Sequence, residues 1–330
     1  MSINEVVLTG ESLTLDEIHA VCRGSAKVKL SEKARQAVVA NRAVLEDLIK
    51  SGTPIYGVTT GIGEFARIQI SPEQGEELQK RIVYSHAAAV GDPIPESDVR
   101  VALLLRSNTL ANGNSAVRLQ IVDTLIEMLN KRVHPVIYQK GSLGTSGDLA
   151  PLSMMAEVVM GEGRADFNGK RLSGGEAMKA AGIPAQKLSF KEGLGLINGT
   201  EAFSGVGLLA IYDSIRLIKT ALIAVGMTLD TVGSNMSGLD PRAHAIRKQR
   251  GQIVVAENLR RLLNGSQTIP ANRGKVQDAY SLRCAPQIIG PTLDALQYVT
   301  DIHLKEANGV CDNPLFFTKE KTKPAKLGRS

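Results

Sequence analysis

The feature that most constrains the fold is the almost continuous helical pattern of the chain after Asn198. Its most apolar part, residues 205–229, is interrupted by Asp213, Arg216 and Lys219, and three such charges are unusual in a membrane span. Apolar residues recur at helical spacing, with few turn residues between the stretches, over 201–233, about 243–263 and 284–307. The pattern therefore predicts a bundle of long helices.

Composition narrows the class of protein. The chain has 330 residues, 43% of them hydrophobic, which is enough for a sizeable core. The net charge of +6 is spread along the chain and there is no tryptophan, so a solvated surface is favoured over nucleic-acid binding. The three cysteines form no CxxC pair and the five histidines no HxxxH pair, so no metal site is expected. The N-terminus has no signal-peptide pattern, and the expected location is the cytoplasm, with no membrane partner.

Before Asn198, shorter helical patterns alternate with glycine-rich connections. Ser31 is a candidate cap for a helix over 32–50, and a shaped loop, IYGVTTGIGEF, follows. A small hairpin leading into a helix is indicated by the segment RADFNGKRLSGGEAM. Further helices are expected over 72–89 and 96–131. The predicted division is an active-site domain over 1–198, a partial helical bundle over 199–317 and a polar tail over 318–330.

The second glycine-rich segment is GSLGTSGDLAP, residues 141–151. A phosphate-binding loop is disfavoured because the segment lacks both GK[ST] and GxGxxG. A nucleophilic serine is disfavoured because GTSGD is not GxSxG. A third possibility is backbone chemistry, in which the nitrogen of Gly147 attacks the carbonyl of Thr145 and Ser146 loses water. Such a pair in a loop is most often an ordinary turn, and the residues alone do not decide among these outcomes.

Several segments, in order, resemble the histidine and phenylalanine ammonia-lyase family from about residue 5 to 317. The family's Ala-Ser-Gly triad has its counterpart in Thr145-Ser146-Gly147, with threonine in first place. The other matching segments are YGVTTGIG, LQKRIVYSHAAAVG, RSNTLANGNSAVR, FKEGLGLINGT, QDAYSLRCAPQIIG and EANGVCDNPLFF. The resemblance implies a mainly α fold of the ammonia-lyase/fumarase type, in which an N-terminal active-site domain is joined to a long-helix bundle.

The resemblance also implies chemistry. Thr145, Ser146 and Gly147 would cyclise to 4-methylidene-imidazol-5-one (MIO), an electrophile that makes the substrate amine a better leaving group. The catalytic set would then be Tyr56 as base, the triad, and Tyr280 beside the ring. The substrate-binding set would be His86, Asn198, Gln277 and Arg283, with Arg283 pairing the substrate carboxylate.

The Ser85-His86 pair resembles the position that reads Ser-His in histidine enzymes, Phe-Leu in phenylalanine enzymes and His-Leu in tyrosine enzymes. Imidazole needs polar partners, so L-histidine, giving urocanate, is the expected substrate. Thr145 and the FKEGL run are also similar to aminomutase relatives. A phenylalanine or tyrosine ammonia-lyase, or a 2,3-aminomutase, is therefore the alternative.

The expected partners are an aromatic amino acid and other copies of the chain, because the family is tetrameric. The family's chains continue beyond the DNP segment at Asp312–Pro314, into an FHGQ-type motif and a late pocket glutamate that are not present here. A further alternative is therefore a non-catalytic scaffold, or one half of a split enzyme that needs a complementing C-terminal chain.

Overall fold

The computed structural model describes residues 3–271 and 276–318, and the predicted mainly helical fold is confirmed. The helices of the first part are α1 Leu15–Cys22, α2 Glu32–Lys50, α3 Pro72–His86, α4 Glu96–Ala111, α5 Leu119–Lys131, α6 Leu149–Val159, α7 Gly174–Ala180 and α8 Glu192–Ile197. Those that follow are α9 Glu201–Thr231, α10 Pro241–Arg247, α11 Arg250–Leu262, α12 Thr268–Ala271, α13 Tyr280–Arg283 and α14 Ala285–Ala307.

Local sequence signals explain where several helices begin and end. The hydroxyl of Ser31 accepts the Ala34 N–H at 3.1 Å and caps α2 as predicted. The single helix expected over 96–131 is instead two, α4 and α5. Between them Gly113 has φ +75°, and a Cβ there would lie 2.8 Å from Ala37, so the chain turns where only glycine fits. The helix expected over 243–263 is likewise divided, at the left-handed Lys248.

Short strands connect the helices. β1 Glu5–Leu8 pairs in parallel with β2 Lys27–Leu30. β3 Val90–Pro93 pairs antiparallel with β5 Tyr138–Lys140, and β4 His134–Pro135 pairs with the hairpin formed by β6 Arg164–Phe167 and β7 Lys170–Ser173. The pairing of β3 with β5 aligns Val90 with Lys140. It thereby places the end of α3 beside the start of the 141–151 loop.

The chain divides into two compact units. The first contains the residues up to Leu209 and the chain from Leu304 onward, and the second is Ala210–His303. The first unit is built around α4, buried from Val99 to Ala111. The core of the second includes Leu229, Val255 and Leu259. The division at 198/199 and 317/318 stays a prediction, and most of the predicted tail lies outside the described residues.

Among the residues that the structure describes, no helix is long and apolar enough to cross a bilayer. The apolar run at 205–229 falls within α9, in agreement with the helical pattern from which the bundle was predicted.

A buried histidine in β4 gives the fold a predicted sensitivity to acid. His134 Nε2 lies 3.1 Å from Arg100 Nη1, and because a guanidinium only donates, this nitrogen accepts. Burial, partly opposed by Glu96, lowers the pKa of His134 from 6.5 to about 4. The unfolded chain therefore binds the proton more readily, and stability falls as pH decreases from 6.5 towards 4, by about 3 kcal/mol in all.

Urea unfolding across this pH range checks the prediction. His134→Gln keeps an acceptor opposite Arg100 and removes the titration, so it is expected to lose less stability in acid than the parent chain. Equal acid-side losses in the two proteins would contradict it.

Candidate active site

The 141–148 loop bends sharply at the predicted triad. Ser146 and Gly147 have φ of +58° and +80°, and Thr145 and Ser146 are exposed. Gly147 forms a bridge with Gly199, and a Cβ on Gly147 would lie only 2.0 Å from the Gly199 oxygen. Only glycine fits at position 147. The nitrogen that cyclisation would use is thus held in a tight, side-chain-free turn.

Asp148, directly after the triad, anchors this loop. Its N–H donates to the Gly199 carbonyl at 2.6 Å. Its carboxylate, 3% exposed, accepts from the Ser142 hydroxyl at 2.9 Å and from the Phe203 N–H at 2.8 Å. Phe203 lies in the first turn of α9, where a carboxylate satisfies a free N–H and complements the helix dipole. The triad is therefore attached to the turn that contains Asn198 and to the start of α9.

Asn198 is the C-terminal cap of α8, and its backbone is held by Arg106. This arginine is completely buried; it donates to the Asn198 carbonyl at 3.0 Å and, through Nε, to the Gly195 carbonyl at 2.9 Å. Its charge is balanced by Glu201 at 2.7 Å. Burial raises the pKa of the Glu201 carboxyl, against the attraction of Arg106. The ion pair therefore stabilises the backbone on both sides of Asn198, at Gly195 and at Glu201.

A second buried ion pair lies beside the first. Lys191 Nζ is 2.7 and 2.8 Å from the two carboxylate oxygens of Asp312, and neither side chain is exposed. Burial lowers the pKa of Lys191, and Asp312 opposes this shift. An Asp312 oxygen is also 3.9 Å from Arg106. The pair joins the DNP segment to the start of α8.

Asp148, Glu201 and Lys191 were not predicted from the sequence to have a role in the site. The available sequence signal was the presence of charged residues within an apolar segment. An example is FKEGLGLINGTEAF, in which a lysine and two glutamates lie among mostly apolar residues. Charged residues are almost never fully buried unless they are paired. Their partners, however, are distant in sequence and could not be identified from the pattern.

Tyr56 lies in the loop after α2 and is 38% exposed. Its hydroxyl oxygen accepts the Gly63 N–H at 3.1 Å. Gly57 has φ +64°, and a Cβ there would lie 2.2 Å from Leu194 of α8. Thr59 accepts the Ile55 N–H at 2.7 Å, so its hydroxyl stabilises the turn. The loop is thus held by its own hydrogen bonds and packs against α8.

His86 is the last residue of α3. Its Nδ1 lies 2.8 Å from the Ile82 carbonyl and 3.0 Å from the Ser85 hydroxyl. Because a carbonyl only accepts, Nδ1 carries the proton, and in a neutral ring Nε2 is then an acceptor. A Cβ on Gly141 would lie 2.9 Å from the Ala88 carbonyl, so the triad's loop begins against the residues that follow His86.

The other predicted residues belong to the second unit. Tyr280 begins α13 and is 72% exposed. The Arg283 guanidinium stacks 4.0 Å from the centre of the Tyr280 ring, and its Nε donates to the Asp278 carbonyl at 3.0 Å. Gln277 is exposed. The predicted site residues therefore form two groups, one in each unit.

Comparison with known proteins identifies the family. The family model described as aromatic amino acid lyase matches residues 13–327. The chain belongs to this family. The membership inferred from the ordered motifs is thereby confirmed.

Individual proteins and solved structures are also similar to the chain. It is 48% identical to a histidine ammonia-lyase of Alkaliphilus oremlandii over 320 residues, 96% of this chain and 63% of the relative. A solved histidine ammonia-lyase from Trypanosoma cruzi matches with a TM-score of 0.85 and 34% identity, over 95% of this chain and 58% of that one. A tyrosine aminomutase from Streptomyces globisporus matches with a TM-score of 0.88 and 34% identity, over 96% and 63%. The chain thus spans about 63% of the curated relative's length.

Proposed function

We propose that this chain supplies the electrophile and the base of an ammonia-lyase that converts L-histidine to urocanate and ammonia. The main observation in support is the close approach of Gly147 to Gly199. A Cβ on Gly147 would lie 2.0 Å from the Gly199 oxygen, and the chain belongs to the aromatic amino acid lyase family. The 48% identity to a histidine ammonia-lyase supports the choice of reaction and substrate.

Thr145, Ser146 and Gly147 are the residues that would form and hold MIO. The positive φ of Ser146 and Gly147 and the absence of room for a side chain at 147 fit this role. Once formed, the ring supplies an electron sink that eases departure of the substrate amine. Asp148 holds the Gly147 end of the triad against the Gly199 carbonyl.

The chain's own residues do the remaining work. Tyr56 is proposed to react as the phenolate and to take the β-proton of the substrate on its phenolic oxygen, whose position is set by the Gly63 N–H. Arg283 is proposed to bind the substrate carboxylate, for which a planar guanidinium is well shaped. Asn198 and Tyr280 would donate hydrogen bonds around the ring, and Gln277 would provide a further polar contact.

The choice of histidine is supported by His86. With Nδ1–H directed at the Ile82 carbonyl, Nε2 is an acceptor that suits the N–H edge of an imidazole and offers nothing to a phenyl ring. An aromatic lyase acting on phenylalanine or tyrosine, or a 2,3-aminomutase, is the alternative, supported by the likeness to the tyrosine aminomutase. Incubation with histidine, phenylalanine and tyrosine, followed by mass spectrometry, tests both. Urocanate supports the proposal, and a β-amino acid contradicts it.

Replacement of His86 tests the specificity directly. His86→Leu is expected to lower kcat/KM for histidine relative to phenylalanine by about 100-fold, because a substrate N–H is left without its acceptor. Ser85→Ala is the matched control, since it keeps the bond between His86 and the Ile82 carbonyl. If the ratio is unchanged in His86→Leu, the proposed recognition is wrong.

The proposed partners follow from the surface of the second unit. This unit exposes large apolar side chains, among them Leu217, Met227, Ile288 and Tyr298. Exposed apolar side chains that form a contiguous patch often mark a protein interface. We propose a cytoplasmic homotetramer, or assembly with a complementing C-terminal chain. A non-catalytic scaffold is the competing alternative.

Size-exclusion chromatography and turnover of histidine, with and without a complementing chain, separate these outcomes. Turnover in either condition supports the enzyme. A monomer that is inactive in both supports the scaffold.

A further inference from the structure

The buried amide of Gln79 connects α3, the loop that contains Tyr56 and the start of α8. Gln79, in α3, has no exposed surface. Its Nε2 donates to the Gly57 carbonyl at 2.9 Å, and its Oε1 accepts the Gly193 N–H at 3.0 Å and the Leu194 N–H at 3.4 Å. One side chain thus bonds both the residue after Tyr56 and the first turn of α8.

These contacts satisfy groups that have few other partners. The first N–H groups of a helix have no partner within that helix, and the Gln79 oxygen accepts two of them at the start of α8. Asn198, the C-terminal cap of α8, follows Glu192 at the start of the helix by six residues. At the other end, the carbonyl that Gln79 bonds belongs to Gly57, whose left-handed conformation turns the chain immediately after Tyr56. A displacement of this amide would therefore shift both Tyr56 and Asn198.

Packing at this point leaves little freedom. A Cβ on Gly193 would lie 2.4 Å from the Gln79 carbonyl oxygen, and a Cβ on Gly57 would lie 2.2 Å from Leu194. The backbones of α3 and α8 approach each other as closely as glycine allows, and Gly57 in the Tyr56 loop lies against the Leu194 side chain. His86 follows Gln79 by seven residues, two helical turns, and so shares its face of α3.

We propose that Gln79 is a positioning residue, which fixes the Tyr56 loop relative to α3 and α8 and so aligns the base with the ring-forming turn. The inference rests on the proposed lyase function. Gln79 touches no reacting atom in this proposal and acts through the Gly57 carbonyl. Misplacement of a catalytic group by about 1 Å can lower a rate about 100-fold.

The test uses Gln79→Met, which fills most of the volume and removes all three hydrogen bonds. Asn41→Leu is the matched control. Asn41 is another buried amide, 1% exposed, that donates to the Phe316 carbonyl and accepts the Ala116 N–H, both at 2.8 Å. If Gln79→Met does not fold, Gln79→Glu, which keeps an acceptor for Gly193, takes its place.

Two readouts are compared in the full-length chain. For Gln79→Met, kcat on histidine is expected to fall 10- to 100-fold, with KM changed less than about threefold and a larger isotope effect from β-deuterated histidine, because proton removal is impaired. Amide exchange should accelerate in peptides covering 55–63 and 190–197 and remain unchanged over 164–173. Asn41→Leu should leave the isotope effect and the exchange of 55–63 unaltered.

The outcomes are distinguishable. If the unsubstituted chain turns over none of the three amino acids in any assembly, the proposed function fails, and the exchange measurement alone decides whether Gln79 holds the loop. If the unsubstituted chain is active and Gln79→Met retains its kcat or its protection over 55–63, the positioning role is wrong.

Discussion

Ser146→Ala is expected to eliminate the activity, with a loss of at least about 1,000-fold, because the methylidene carbon of the electrophile derives from the Ser146 side chain and alanine has no hydroxyl to lose. The substitution is exposed in the loop, so folding should be preserved. The intact mass of the parent chain is expected to be lower than the sequence mass by two water molecules. The variant should lack the loss of water from Ser146.

Thr145→Ala is the matched control for this experiment. It changes the neighbouring exposed residue and creates the Ala-Ser-Gly triad that is usual in the family, so the mass loss and the near-ultraviolet difference absorbance should both remain. An unmodified parent mass, or a fully active Ser146→Ala protein, would show that the mechanism does not operate in this chain.

Asp312→Ala is expected to destabilise the first unit by about 3–5 kcal/mol, the usual result of removing one partner from a buried ion pair. The remaining Lys191 side chain is entirely buried, and Arg106, 3.9 Å from an Asp312 oxygen, adds a second positive charge to the same region. Urea denaturation of the parent and variant measures the difference.

Two controls define the cause of that loss. The double variant Lys191→Met/Asp312→Leu removes both charges and should recover most of the stability, since an apolar pair avoids the cost of desolvation. Asp166→Ala breaks the exposed pair with Arg171, whose side chains are 44% and 45% exposed, and should cost less than about 1 kcal/mol. If Asp312→Ala is as mild as Asp166→Ala, the buried pair contributes no more than a surface contact.

The local parts of the fold were predictable because their causes are local. A serine before an amphipathic run predicts the start of α2, and RADFNGKRLSGGEAM predicts the β6–β7 hairpin and α7. The division of the expected 96–131 helix was not predicted. Asn112-Gly113-Asn114 is a local turn signal within the helical periodicity, but the contact with Ala37 that requires glycine at 113 comes from α2.

The family, the mainly helical class and the position of the triad could all be read from the sequence alone, because they depend on ordered motifs and on periodicity along the chain. Only the tertiary structure revealed that Gly147 lies against Gly199, that Arg106 supports Asn198, and that Gln79 joins the Tyr56 loop to α8. Each of these contacts links residues far apart in sequence. Hydrogen bonding and burial depend on which residues lie close together in space, and the spacing of residues along the chain does not give that information.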